Sequence, residues 1–201
     1  MASEQTPADL GSPQDMERRL ALVHPEDTVR GYFFNCALEE LQRHDEAMLK
    51  RCIEELGQEK FTTYFNYPIS LLLRLLYTAA RALSGEHGGF EGALRHLGAH
   101  VAREFLRNPV GKTMLLLAAG NPRRLASSLP SAYPTGWHHG QSSVKWTGTR
   151  QCIASIHGNV IPYPYFEGIL AEVLGATKAP DVRVEGRQVA PTLSEYELSW
   201  G

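Results

Sequence analysis

Two different spacings of hydrophobic side chains divide the chain. Up to Ser131, apolar residues recur at intervals of three and four, which is the period of an amphipathic helix. A short extended segment over residues 28–31 precedes the first complete helix, and the segment around residues 69–84 is apolar on nearly every face, which predicts a central, buried helix. The predicted helical segments are VRGYFFNCALEELQ, EAMLKRCIEELG, FNYPISLLLRLLYTAARALSG, GFEGALRHLGAHVAREFLRNP, VGKTMLLLAAG and NPRRLASSLP.

Beyond Ser131 the period shortens toward two, as expected for half-buried strands. The alternating segments are SVKWTG, RQCIASIHG, VRVEGRQVA and SEYELSW, and the helical segment PYFEGILAEVLGA interrupts them. The pattern therefore predicts an α+β fold, in which a helical N-terminal half packs on a small antiparallel sheet with β-β-α-β-β order at the C-terminal end.

The first residues differ in composition from the rest. Residues 1–20 are rich in Ser, Pro, Gln, Asp and Glu, and few of their side chains are large and apolar. Such a segment does not bury enough apolar surface to offset the entropy lost on ordering. We therefore predict a flexible N-terminal tail over residues 1–20 and a single α+β domain over residues 21–201.

Composition and charge exclude several classes of partner. The formal charge of −2 offers no basic excess for nucleic acid, and the apolar runs are much shorter than the roughly 20 residues that span a bilayer. The cysteines Cys36, Cys52 and Cys152 are widely spaced and odd in number, which argues against a disulfide framework. We expect a cytoplasmic protein without a membrane span.

Two motifs in the helical half suggest chemistry but lack required parts. The end of NPVGKT matches a phosphate-binding loop, yet Leu106 stands where the first glycine is needed. His96 and His100 have the spacing of metal ligands, but Leu97 replaces the metalloprotease glutamate and the sequence places no third ligand beside them. The favoured interpretation of this histidine pair is a solvated helix face, and we predict no metal site.

The segment YPTGWHHGQS lies where helices give way to strands. Its proline and glycines are typical of a loop, and loops often carry binding residues. Trp137 there is a candidate wall of a pocket, while His138, His139 and Arg150 are the only candidates for an unrecognised enzyme site. Because the serine hydrolase, kinase and dinucleotide signatures are absent, we predict no catalytic residues and a protein that is not an enzyme.

The segments VRGYFFNCALEEL, YPISLLLRLLYTAARAL, EGALRHLGAHVAREFLRNPVGKTML and FEGILAEVLGATKAPDVRVEGRQV, with the ending SEYELSW, resemble a paralogous family of uncharacterised proteins of about 200 residues that is expanded in myxobacteria. The resemblance runs from Thr28 to Trp200. It rests on the order and spacing of apolar blocks.

That family is distantly similar to the superfamily of 4-vinyl reductase domains, haem nitric oxide sensor domains and TRAPP vesicle-tethering subunits. The resemblance implies a hydrophobic cavity between helices and sheet that takes haem, aromatic effectors or acyl chains, and it implies that a homodimer is common. The Tyr-x-Ser-x-Arg clamp of the haem branch is absent: Tyr77 and Arg81 are four residues apart, but Thr78, Ala79 and Ala80 stand between them. No cofactor is therefore predicted, although haem or a lipid stays open.

Two functions from different classes fit these observations. The first is a non-enzymatic, cytoplasmic ligand-sensing or regulatory domain that binds an apolar small molecule or acyl chain. The alternative is a protein interaction module that docks a protein partner in a signalling or polarity complex. For the first function, the residues expected to line the pocket are Phe33, Leu72, Leu76, Leu116, Trp137, His138 and Trp146.

Overall fold

The computed structural model describes residues 10–44 and 46–201. The helices are α1 Pro13–Leu20, α2 Gly31–His44, α3 Glu46–Leu56, α4 Ile69–Leu83, α5 Phe90–Arg107, α6 Pro109–Ala118, α7 Pro122–Gly136 and α8 Tyr163–Gly175. The strands are β1 Thr28–Arg30, β2 Asn66–Pro68, β3 Trp137–His138, β4 Gln141–Trp146, β5 Gln151–His157, β6 Arg183–Ala190 and β7 Leu193–Ser199.

The C-terminal part forms an antiparallel sheet with the strand order β4-β5-β7-β6. Helix α8 follows β5 in the chain and packs on α5 and β6. In the two central strands, β5 and β7, every second side chain is buried, because one face of each strand lies on the core. The predicted α+β class and the β-β-α-β-β order are confirmed.

A second, small sheet lies within the helical half and was not predicted as a sheet. Its order is β2-β1-β3, and Val29 pairs with Tyr67 on one side and with Trp137 on the other. Part of the predicted loop YPTGWHHGQS is therefore a strand. Helix α7 also continues through Pro130 and Pro134 as far as Gly136, so the proline signals that predicted a helix end were overridden.

Helices α5 and α8 cross in close backbone contact at two glycines. A Cβ atom at Gly98 would lie 1.9 Å from the Tyr165 carbonyl oxygen, and one at Gly168 would lie 2.0 Å from the Arg95 carbonyl oxygen. Neither glycine leaves room for a side chain, and this contact sets the distance between α5 and the layer formed by α8 and the sheet.

The N-terminal residues differ from the predicted tail. Ser12 caps α1 by accepting a hydrogen bond from the backbone of Asp15. Asp15 is buried, where it pairs with Arg19 at 3.2 Å and accepts a hydrogen bond from Tyr77, and Arg19 also donates to the Val160 carbonyl at 3.1 Å. For residues 13–20 the tail prediction is wrong, because a buried polar network holds the helix that apolar content alone would not. Residues 1–9 lie outside the described part of the chain.

Among the described residues, no helix combines the length and hydropathy needed to cross a membrane.

Candidate functional site

A cavity of about 360 Å³ lies between the helical layer and the C-terminal sheet. This volume falls in the range of roughly 300–1,000 Å³ that small-molecule pockets have. The start of α2 and helices α5 to α8 contribute walls, and β4 and β5 close the far side. Its side chains are mostly apolar and include Tyr32, Phe33, Val101, Ala102, Phe105, Met114, Leu125, Leu129, Tyr133, Trp137, Ala154, Ile156, Phe166, Ile169, Leu170 and Val173.

Aromatic rings form one continuous wall of the cavity. Trp137 lies 4.4 Å from Phe33 and 4.8 Å from Phe166, measured between ring centroids, and Tyr133 lies 6.2 Å from Phe166. The rings are tilted relative to one another, with interplanar angles of 48°, 49° and 34° for these three pairs. Strand β3 holds Trp137 through its pairing with Val29, so the small sheet fixes the position of this wall.

One polar group in the cavity wall has no partner. Tyr133 is 8% exposed, and its buried hydroxyl makes no hydrogen bond within the protein. Burial, together with the charge of Asp27, raises the pKa of this phenol, so it stays a neutral donor at physiological pH. A buried hydroxyl without a partner costs free energy, and a ligand that accepts its hydrogen bond would recover part of that cost.

Polar atoms gather at one part of the cavity boundary. Arg30 donates hydrogen bonds to the carbonyl of Thr135 at 3.3 Å and to the carbonyl of Tyr64. Thr63, Tyr64 and Asn108 also line this space. The Arg30 side chain thus connects the loop that precedes β2 with helix α7. It is also the one cationic side chain among the described residues that line this cavity.

A second, more open space of about 580 Å³ adjoins the cavity between α6 and α7. Helix α6 separates the two only in part. They have in common the side chains of Phe105, Val110, Met114, Ser128, Ala132 and Thr135. Together they form an extended apolar volume that reaches from the sheet to the space between α6 and α7.

The sequence over residues 22–201 matches the family described as Protein of unknown function, DUF2378. The chain belongs to the DUF2378 family. No match was found among curated proteins.

Solved H-NOX structures share the fold of this DUF2378 chain. The Fe(II) unliganded H-NOX protein from K. algicida has a TM-score of 0.67 at 12% identity, covering 86% of this chain and 96% of that one. A mutant of the same protein gives 0.66 at 14% identity with the same coverage, and a Cs H-NOX mutant gives 0.65 at 10% identity, covering 85% and 96%. At these identities the similarity shows the fold alone.

Two of the residues predicted to line the DUF2378 pocket, Phe33 and Trp137, line the cavity. Leu72 and Leu76 are fully buried in α4 but lie outside the cavity lining, and Leu116 is 78% exposed on α6. Helical periodicity marks which residues are buried, but not which neighbouring element covers each face of the helix.

His138 and Trp146 also lie away from the cavity lining. His138 is exposed, and Trp146 lies on the sheet, where the Arg123 guanidinium sits 3.9 Å from its ring centroid. His139 is buried, and its burial lowers the pKa of the imidazole, against the opposing charge of Asp27. The two adjacent histidines thus have different environments, and Arg150 lies on the loop after β4.

The sequence missed most of the cavity wall. Tyr133, Phe166, Ile169 and Val173 lie on two helices, and α8 was predicted with Phe166, Ile169 and Val173 on its inner face. That periodic inner face was the available signal. The sequence pattern did not show that α7 extends to Gly136 and faces this side of α8.

His96 and His100 do not form the solvated face that their spacing suggested. His100 is 3% exposed, and the imidazoles lie at 2.8 Å (His96 Nε2) and 3.0 Å (His100 Nδ1) from the two carboxylate oxygens of Glu40, which is itself buried. Glu40 comes from α2, 56 residues earlier in the chain than His96. No local pattern could pair them.

Proposed function

We propose that this DUF2378 protein is a non-enzymatic, ligand-sensing domain that binds an elongated apolar molecule, an acyl chain or an aromatic compound, between its helices and its sheet. The observation that carries the proposal is the aromatic-walled cavity of about 360 Å³, together with its extension beneath α6. A cavity of this size loses packing energy unless a ligand fills it.

The polar groups suit a ligand with one polar end. The Tyr133 hydroxyl offers a hydrogen bond from the wall, and Arg30 lies at the boundary with Thr63 and Tyr64. A few placed polar groups in an apolar pocket orient a ligand and provide specificity. A carboxylate headgroup near Arg30 with its chain along Phe33 and Trp137 would satisfy both regions.

Haem is the subject of several structures with this fold, one of which concerns porphyrin distortion and haem redox potential. The residues of this chain do not fit it. The described lining residues include no histidine or cysteine, and burial raises the pKa of the Tyr133 phenol, which disfavours the phenolate needed for iron ligation. Tyr133, Thr135 and Trp137 have the spacing of the Tyr-x-Ser-x-Arg clamp, but Trp137 stands in the position of the arginine. Its indole packs on Phe33 and carries no charge.

The alternative, docking of a protein partner, is supported by the outer surface of α6. Leu116 is 78% exposed and Leu117 is 76% exposed, and Val110 beside the cavity is also exposed. Adjacent exposed leucines are unusual on a monomer's surface and are typical of contact sites. Because α6 also borders the cavity, a bound ligand would contact the helix that presents these leucines. A homodimer through this surface and a cytoplasmic location stay predictions.

A binding experiment tests the ligand proposal. Trp146→Phe and Trp200→Phe leave Trp137 as the only tryptophan, so that its fluorescence reports on the cavity. We expect a polyene fatty acid to quench Trp137 in a saturable titration. In this background, Ala132→Trp fills the space shared by both parts of the cavity and should abolish saturable binding of the probe.

The matched control is Ala171→Trp, which adds the same side chain on the exposed face of α8. Since the added indoles contribute fluorescence of their own, binding in both variants is measured by probe emission. Equal binding in both variants, or no saturable binding to the parent, would overturn the ligand proposal. Loss of self-association or partner binding on Leu116→Ser, with ligand binding intact, would favour the docking function.

A further inference from the structure

A second group of polar side chains lies away from the cavity, where the end of α2, the loop after α4 and the first half of α5 meet. Glu40 Oε2 is 2.8 Å from His96 Nε2 and 3.5 Å from His44 Nε2. The ligand atoms of these three residues all lie within 4.8 Å of one another. Two imidazole nitrogens thus converge on one buried carboxylate oxygen.

These separations match those of ligands that share a metal ion. With metal–ligand bonds of roughly 2.0–2.1 Å and tetrahedral angles, ligand atoms are about 3.3 Å apart. The separations from Glu40 Oε2, 2.8 and 3.5 Å, lie on either side of that value. We propose that Glu40, His44 and His96 bind a divalent transition metal ion, with zinc as the expected ion.

The surroundings of the three ligands support this assignment. The other ring nitrogen of His44, Nδ1, lies 2.9 Å from Glu86 Oε2. A histidine that ligates a metal through one nitrogen commonly donates its other N–H to a carboxylate, which fixes the tautomer and the ring orientation. Glu86 holds His44 so that Nε2 faces Glu40.

The carboxylate of Glu40 is held in the same way. Its other oxygen, Oε1, lies 3.0 Å from His100 Nδ1 and accepts a hydrogen bond from Arg43 at 2.8 Å. These contacts turn Oε2 toward His44 and His96.

A fourth imidazole lies beside the three ligands. The ring of His87 stacks on that of His96 with centroids 3.9 Å apart, and its Nε2 is buried without a hydrogen-bond partner. Three protein ligands leave a further position on zinc for water or another donor.

The ion would join the two helices that also line the cavity. Glu40 and His44 lie in the last turns of α2, whose first turn contributes Phe33 to the cavity wall, and His96 lies in α5 ahead of Val101. The Tyr32 hydroxyl already ties α2 to α5 by donating to the Val101 carbonyl at 2.9 Å. A metal at the other end would fasten the same helix pair a second time.

The experiment measures zinc binding by the untagged full chain, using competition with a chromophoric chelator and elemental analysis after dialysis. We expect one zinc per chain, and we expect His96→Ala and His44→Ala each to weaken binding by more than about 100-fold, since changes outside the ligand set already cost roughly 10- to 100-fold. The control His157→Ala removes an exposed histidine of β5 and leaves binding unchanged.

A second measurement distinguishes the neighbouring group Cys36, Glu39 and His100, whose ligand atoms are also close together. Cobalt bound to the wild-type protein should show tetrahedral absorption without a thiolate charge-transfer band, and Cys36→Ala should keep full affinity. The cobalt spectrum is recorded on the wild-type protein, so its interpretation does not depend on whether a variant folds. A thiolate band, binding that survives His96→Ala, or no stoichiometric zinc in the wild type would each overturn the proposal.

Discussion

The cavity and the histidine cluster both lie along the same helix pair, α2 and α5, and they differ in how their polar groups are satisfied. In the cavity wall the Tyr133 hydroxyl has no partner, whereas the carboxylate of Glu40 contacts four cationic or imidazole side chains. In the cavity, a ligand would supply the packing contacts that the wall lacks and the hydrogen bond that the Tyr133 hydroxyl lacks. The cluster already satisfies its central carboxylate within the protein, and a metal would replace contacts that exist.

Helix α5 serves both regions because it presents different residues to each. His96 and His100 face α2, Val101 and Phe105 face the cavity, and Gly98 meets α8. Successive residues on a helix are about 100° apart, so adjacent positions such as His100 and Val101 can lie in different environments. One helix therefore separates a polar site from an apolar one within a single turn.

Gly98→Ala should disturb both regions together and have the largest effect. Its Cβ would lie 1.9 Å from the Tyr165 carbonyl, a backbone atom that cannot move aside alone. We expect a loss of about 3 kcal/mol in the free energy of unfolding, at the upper end of overpacking costs. Urea denaturation measures it, with Gly85→Ala as the control, since nothing lies within 4 Å of a Cβ there. Equal losses in both variants would show that the close contact of α5 with α8 is not the cause.

Glu40→Gln should separate the two regions. It removes the charge that binds His96, His100 and Arg43, and hydrogen bonds to a charged group contribute roughly 1.5–3 kcal/mol, so we expect a loss of about 2 kcal/mol. Urea denaturation with a chelator present excludes any contribution from metal. Fatty-acid quenching of Trp137 should be unchanged in the variant. A matching loss in Glu39→Gln, at the neighbouring exposed carboxylate, would contradict the special position of Glu40.

Tyr133→Phe should have the opposite sign to the change at Glu40. The variant removes a buried hydroxyl that has no partner, so without ligand we expect a gain of about 1 kcal/mol. Tyr32→Phe is the matched control: its hydroxyl donates to Val101, and its removal should cost about 1 kcal/mol. Destabilisation by Tyr133→Phe would mean that the hydroxyl is satisfied within the protein.

His139→Gln should have the smallest effect and only at acidic pH. Burial places the pKa of the folded-state imidazole below its unfolded value of 6.5, so as the pH falls below about 6.5 the unfolded chain takes up a proton that the folded chain does not. Stability therefore falls with decreasing pH in that window, by at most about 1.4 kcal/mol per pH unit for one proton.

The variant removes this contribution and flattens the slope of stability against pH. Thermal or urea unfolding at a series of pH values below 7 measures it, with the exposed His24→Gln as the comparison. An unchanged slope in His139→Gln would show that this histidine titrates in the folded protein as it does in the unfolded chain.

Local periodicity in the sequence determined the class of the fold and most of its elements. Residues close together in the chain are enough to show the alternation in the segments that form β4 to β7 and the apolar inner face of α8. A strand or helix repeats its buried side at a fixed interval. Phe33 and Trp137, two of the residues singled out from the sequence, line the cavity.

Tertiary structure alone decided which buried faces meet. Leu72 and Leu76 have the same apolar character as Phe33 but are packed in the core, since neighbouring elements cover their side of α4. The burial of Asp15 depends on Arg19 and Tyr77, and the environment of His96 depends on Glu40 from a distant helix. Hydrophobic spacing encodes that a residue is buried, but charge pairing and empty volume depend on partners that only folding brings together.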